Sequence, residues 1–218
     1  MKKHLFLLLC LYTSLHTYGQ KAYKLQSPDG NIQVSISLSD KIYYDVTYQQ
    51  DTLLKQCNLQ MELSNQELGN APKLAGVNKK SVDESLKPVI PLKYSTVANK
   101  YNQLLMKFKG DYSVEFRAFN DGIAYRFITN KKGMIEVNNE TFQVNFPENY
   151  LLHVQHPGGF KTAYEEEYKH IESKDWKSSD KMALLPILID THKDYKILIS
   201  ESDLADYPAL FLKSNGNN

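Results

Sequence analysis

Apolar and polar positions alternate with a period of two along much of this chain, the spacing of a strand that hides one face. In residues 31–40, NIQVSISLSD, Ile32, Val34, Ile36 and Leu38 alternate with Gln33, Ser35 and Ser37. A short turn at residues 39–41 leads into Tyr44, Val46 and Tyr48, which predicts a hairpin. Leu59, Met61 and Leu63 mark another strand. The clearest pattern is residues 111–127, DYSVEFRAFNDGIAYRF. Tyr112, Val114, Phe116 and Ala118 alternate toward Asn120, Asp121 and Gly122, and Ile123, Tyr125 and Phe127 alternate away. Asp-Gly supplies the positive φ angles of a tight turn, so strand, turn, strand is expected.

Further strands are predicted over residues 104–108, 142–146, 185–190, 196–200 and 209–212. Residues 70–92 lack sustained periodicity and read as an irregular connection with one strand. The one predicted helix is short, over residues 164–171, with Tyr164, Tyr168 and Ile171 at helical spacing. Short strands without a βαβ rhythm predict an all-β antiparallel sandwich. With no internal repeat and no linker, residues 20–218 fit one domain.

The two arginines of the chain, Arg117 and Arg126, both lie in the long hairpin. With Asp121 and Gly122 as a two-residue loop, they face each other. Like charges so placed are unfavourable, so a carboxylate between them or a bulged three-residue loop is expected. The pair reads either as an anion clamp or as an ordinary structural ion-pair cluster, the commoner arrangement.

The first residues change the picture of where the protein works. Lys2, Lys3 and His4 precede an apolar run over residues 5–11, and Thr17 and Gly19 sit three and one before a cut ahead of Gln20. This is the pattern of a secretory signal peptide, residues 1–19, too short for a membrane span, and it places the protein in the periplasm or outside the cell. Too few apolar residues precede Cys10 for a lipoprotein signal. Removal of residues 1–19 leaves Cys57 as the one thiol, so no intramolecular disulfide is expected, and Cys57 reads as a small apolar core residue. Without Lys2 and Lys3, 24 basic residues stand against 25 acidic ones, a net charge of −1. There is no basic stripe for nucleic acid and no basic amphipathic helix for a membrane surface. The 15 tyrosines suit sugar-facing surfaces and half-buried strands equally.

Several stretches, in order, resemble the N-terminal domain of glycoside hydrolase family 97: LQSPDGNIQVSI from Leu25, FRAFNDGIAYRF from Phe116 and YKILISESDLADYPALFL from Tyr195. The resemblance implies a β-super-sandwich of galactose-mutarotase type. It also implies a parent enzyme acting on an α-glucoside or α-galactoside, in which the sandwich precedes a catalytic (β/α)8 barrel and a small β domain. The turn-like tail LKSNGNN then suggests a sandwich lacking its last strands, with the general acid and its partner carboxylate in the barrel. The resemblance further implies a Ca2+ ion at the active site, with one ligand from the sandwich. In PGGFKTAYEEEYKHIE, residues 157–172, the match falls on Glu165, with Glu166 and Glu167 as alternatives. Calcium takes about six to eight oxygens, more than one short loop supplies. The competing reading is a solvated acidic face on the short helix.

Other candidates carry less chemistry. His153 and His156 lack a third ligand for zinc. Trp176 is either a sugar-stacking platform or a loop anchor. Residues 201–208, ESDLADYP, read only as a turn. Two alternatives to the glycosidase reading remain: a stand-alone carbohydrate-binding module, and a structural or partner-binding sandwich.

Overall fold

The computed structural model describes residues 22–205 and 207–216. Residues 1–19, with the expected signal peptide and its cut, lie outside them. In chain order the strands are β1 (Tyr23–Gln26), β2 (Ile32–Leu38), β3 (Ile42–Tyr48), β4 (Asp51–Leu63), β5 (Gln66–Leu68), β6 (Leu74–Leu86), β7 (Val97–Phe108), β8 (Tyr112–Phe119) and β9 (Gly122–Thr129). They continue as β10 (Val137–Phe142), β11 (Leu151–Val154), β12 (Lys169–Glu172), β13 (Ala183–Leu184), β14 (Ile187–Asp190), β15 (Lys196–Ile199) and β16 (Phe211–Leu212). One 3-10 turn spans Ser173–Asp175, and no α-helix occurs among the described residues. The all-β antiparallel expectation holds.

The first sheet has the order β1-β2-β3-β4-β10, with β5 also on β4, and the second is a simple meander, β6-β7-β8-β9. The predicted alternation is what lets them pack. Val34, Ile36, Ile42, Tyr44 and Leu59 from one sheet meet Leu104, Met106, Val114 and Phe116 from the other in a shared core. Fully burying each large aliphatic or aromatic side chain is worth about 1.5–3 kcal/mol. A third sheet, β12-β11-β14-β15, and the β13-β16 pair enclose a second core around Tyr150, Leu152, Val154, Trp176 and Ile189.

Three expectations are corrected. The strand expected somewhere within residues 70–92 takes up most of them: Leu74–Leu86 is a strand of 13 residues paired along its length with β7, and the irregular connection is confined to the residues on either side. Val82 is the one residue of β6 that is buried. The strand is held by backbone pairing to β7 rather than by a hydrophobic face, so no alternation advertises it. Its far end projects as an arm whose tip leaves Val89 and Leu92 almost wholly exposed.

The second correction concerns the hairpin register. Phe119 pairs with Gly122 and Glu115 with Arg126, so the loop is Asn120-Asp121, one residue earlier than expected, and Arg117 faces Ala124. No residue of 120–122 takes a positive φ. The turn is instead fixed by a neighbour: Asn120 Oδ1 accepts the Asp29 amide at 3.0 Å, locking this turn to the one between β1 and β2.

The third is the helix. Residues 164–168 are irregular and lead into β12, which pairs with β11. Tyr164 has φ 56°, incompatible with a right-handed helix, and both Tyr164 and Tyr168 are exposed rather than forming a buried stripe.

Candidate functional site

The acidic run sits in the exposed loop between β11 and β12. Residues 161–170 are all solvent-exposed. Gly158 and Gly159 begin the loop, and it leans on β16 through Phe160 and Tyr164, whose rings lie 5.1 and 6.1 Å from that of Phe211. The Tyr164 hydroxyl donates to the Phe160 carbonyl, and the Gln155 side-chain amide donates to the Glu166 carbonyl, so side-chain bonds to backbone carbonyls shape the loop. The carboxylates of Glu165, Glu166 and Glu167 make no hydrogen bond or ion pair among the described residues. Nor do any three His, Cys, Asp or Glu residues gather as a metal-binding group there. The loop therefore fits calcium only as a contributor of one or two oxygens to a site completed by other groups.

The remaining candidates are sorted by geometry. Trp176 is 8% exposed, donates its indole N–H to the Lys181 carbonyl at 3.2 Å and packs edge-on against His156 at 5.8 Å. It is an anchor of the second core, not a platform for sugar. His156 is buried beside it and donates from Nδ1 to the Met182 carbonyl at 3.0 Å. His153 points to the opposite, outer face of the third sheet, so the two do not converge. Its partner is His170, directly opposite on β12, with the Nδ1 atoms 2.6 Å apart. Sequence spacing could not reveal that pair, because only the register of β11 with β12 brings it together.

The expected carboxylate between the arginines is Glu115. It is buried, with Oε1 2.8 Å from Arg117 Nε and 3.3 Å from Arg126 Nε. The Arg117 guanidinium also lies 4.7 Å from the Tyr101 ring centre. The basic groups are already neutralised by a built-in acid, which identifies the structural ion-pair cluster.

Two further groups missed in the sequence tie the sheets together. Asp51 at the start of β4 accepts from Lys193 Nζ at 3.0 Å and from the Tyr195 hydroxyl at 2.8 Å. These bonds, that from Lys193 first, hold the Asp51 carboxyl below its ordinary pKa. Burial and the bond to Asp51 push the Tyr195 phenol up to about 12. Glu140 on β10 accepts the hydroxyls of Tyr125 and Tyr207, both at 2.8 Å, and the Glu201 carboxylate accepts the Leu210 amide at 2.9 and 3.0 Å. The ESDLADYP stretch is thus more than a turn: Glu201 closes it and Tyr207 fastens it to β10. Cys57 is fully buried, its Sγ accepts the Asn145 amide at 3.1 Å, and burial raises the thiol to about 11, as suits a core residue.

A cleft of about 520 Å³ runs between β10 and the β13-β16 pair, walled by Phe142, Phe146, Ile187, Ile199 and Phe211. Asn58 Oδ1 in its lining has no hydrogen-bond partner among the described residues. Polar side chains such as Gln60, Glu140 and Gln143 line it beside these apolar ones, so it is a mixed seam between the two cores.

Fold and site together define an all-β sandwich domain with a free acidic loop at one sheet edge. The chain belongs to the glycosyl-hydrolase 97 N-terminal family, which matches residues 25–218. It is 35% identical over 224 residues to a retaining α-galactosidase of Bacteroides thetaiotaomicron, a match covering 99% of this chain and 34% of that enzyme. Among solved structures it is similar to a glycoside hydrolase family 97 enzyme from Pseudoalteromonas sp. strain K8, with TM-score 0.77 and 23% identity over 88% of this chain and 30% of the other. The same kind of enzyme in complex with acarbose aligns with TM-score 0.74 at 22% identity, and a β-arabinopyranosidase with TM-score 0.73 at 24%, covering 83% of this chain and 31% of that one. The chain spans about a third of the length of these relatives. No helix among the described residues is long and apolar enough to cross a membrane.

Proposed function

We propose that this chain is the front sandwich of an exported, calcium-dependent α-glycosidase and that Glu165, on its exposed loop, supplies one calcium ligand and part of the pocket wall. The observation that carries the reading is the alignment of 99% of the chain with a retaining α-galactosidase. That relative favours an α-galactoside over an α-glucoside as substrate. In a retaining reaction two carboxyl groups about 5–5.5 Å apart act as nucleophile and as acid then base. In this reading both come from the strand ends of a (β/α)8 barrel in the same parent chain.

Calcium, when bound, supplies positive charge and orientation at such a site. The sandwich contributes what its loop can offer: a solvent-exposed carboxylate with no ion-pair partner among the described residues, held on a loop that Phe211 and Gln155 fasten to the sheets. In a polypeptide joining this chain to such a barrel, Glu165→Gln should weaken calcium affinity and α-galactoside hydrolysis together, by about tenfold or more, with an unchanged circular dichroism spectrum. Activity and calcium response at parent levels would sink the assignment to Glu165. Parallel Glu166→Gln and Glu167→Gln variants would show whether a neighbour carries the role.

A further inference from the structure

The outer face of the third sheet carries a pair of imidazoles that the glycosidase reading does not use. The register aligns His170 with His153, His153 with Leu188, and Leu188 with Leu198, one row across β12, β11, β14 and β15. In that row the two rings stand edge to face, 4.7 Å between centres, with their Nδ1 atoms 2.6 Å apart. Two positions along the same face runs the row Glu172, Leu151, Asp190 and Lys196, in which Lys196 pairs with Asp190 at 2.6 Å and the Asn149 side-chain amide donates to Glu172.

We infer that His153 and His170 form a two-nitrogen chelate for a borderline divalent transition ion such as Zn2+. Neutral imidazole is a preferred ligand of such ions, whereas Ca2+ selects oxygen. A tetrahedral ion with bonds of about 2.0–2.1 Å holds its ligand atoms about 3.3 Å apart, so the rings need to part by roughly 0.7 Å. Side-chain rotation alone provides this, because the strand ladder already fixes both backbones opposite each other. Without the ion, one ring's N–H donates to the other, so neither nitrogen is stranded. No third His, Cys, Asp or Glu joins the pair among the described residues, which leaves water to complete the coordination and an open position to one side. The chelate would also staple β12, an edge strand, to β11, immediately after the loop that carries Glu165. The inference does not rest on the calcium reading, since the two sites differ in residues and in donor type.

Calorimetric titration of the folded chain with ZnCl2 tests it. Zinc should bind, and His153→Gln or His170→Gln should each weaken binding on the order of a hundredfold, since each turns a chelate into a single contact. His192→Gln, in the exposed turn after β14, should leave binding unchanged, and CaCl2 should not compete. The proposal is overturned if the parent does not bind zinc, if either variant at the pair binds as tightly as the parent, or if His192→Gln weakens binding equally. Should a variant fail to fold, zinc titration of the parent followed by proton NMR decides the matter without mutation. The ring signals of two histidines should move together, and their failure to do so overturns the site.

Discussion

Glu115 serves two guanidinium groups with one carboxylate that is 7% exposed, while Arg117 and Arg126 remain 33% and 56% exposed. Removing the acid leaves two cations on neighbouring strands with no counter-charge at hand; removing the outer arginine leaves the acid still paired. Glu115→Leu should therefore lower unfolding free energy by about 2–4 kcal/mol, and Arg126→Met by less than about 1 kcal/mol. Urea denaturation of both variants checks the ranking, and equal losses would contradict it. The sequence announced both the charge conflict and a carboxylate to resolve it, but not the register that places Glu115 there. Moving the loop by one residue changes every facing pair, and the bond from Asp29 to Asn120 that fixes it joins residues far apart in the chain. A second residue-scale constraint is Gly69, with φ 85° and an ideal Cβ only 2.5 Å from the Leu59 carbonyl oxygen. Gly69→Ala combines a left-handed backbone with a collision against backbone, and should cost about 2 kcal/mol or more in the same assay.

At the scale of elements, legibility followed burial. β2, β3, β8 and β9 were readable because one face of each enters the core, which writes period two into the sequence. For β6 a strand could be expected within residues 70–92 but not its bounds, since backbone pairing with β7 makes no demand on its side chains beyond Val82. The residues around Tyr164 misled because three large residues at helical spacing can also be three residues in an exposed loop and an edge strand. The acidic loop itself was legible only through family resemblance, for free carboxylates on a surface carry no pattern of their own.

The tie from Asp51 to Lys193 and Tyr195 joins β4 to the β14-β15 turn, and it sets a pH dependence. The Asp51 pKa is depressed in the folded chain, so its stabilising contribution is present above its unfolded pKa of about 3.9 and is lost as pH falls through the folded value. Lys193, raised mainly by its bond to Asp51, and Tyr195, raised to about 12 mainly by burial, act in the opposite sense. Their contributions are present below about pH 10 and are lost as pH rises through their folded values. Asp51→Asn should thus flatten the acid limb of stability measured by urea midpoints between pH 2 and 6. An acid limb as steep as the parent's would remove Asp51 from the explanation.

For the whole molecule, the arrangement is two cores bridged by Asp51 to Lys193 and Tyr195 and by the Tyr195 ring against Tyr48. Glu140 ties the two sheets of the first core together through Tyr125 and fastens the segment of Tyr207 to β10. The sandwich class could be read from strand count and turn spacing. Its division into two cores could not, because membership of a sheet depends on pairings such as β10 with β4 and β14 with β11 that cross long stretches of chain.

The meander β6-β7-β8-β9 joins each strand to the next one in the chain, whereas β10 returns to β4 across the whole of that meander. Loop-closure entropy makes near neighbours quick to meet and distant ones slow. The second sheet should therefore form early as the chain collapses, with the tight β8-β9 hairpin as its seed, and the first sheet should close last along β10. In pulse-labelled hydrogen exchange during refolding, amides of β7 and β8 should gain protection ahead of those of β10, and the reverse order would refute this sequence of events. The β8-β9 hairpin, whose two strands are joined by the two residues Asn120 and Asp121, would then matter in time before it matters in space, as the earliest scaffold on which the rest of the chain condenses.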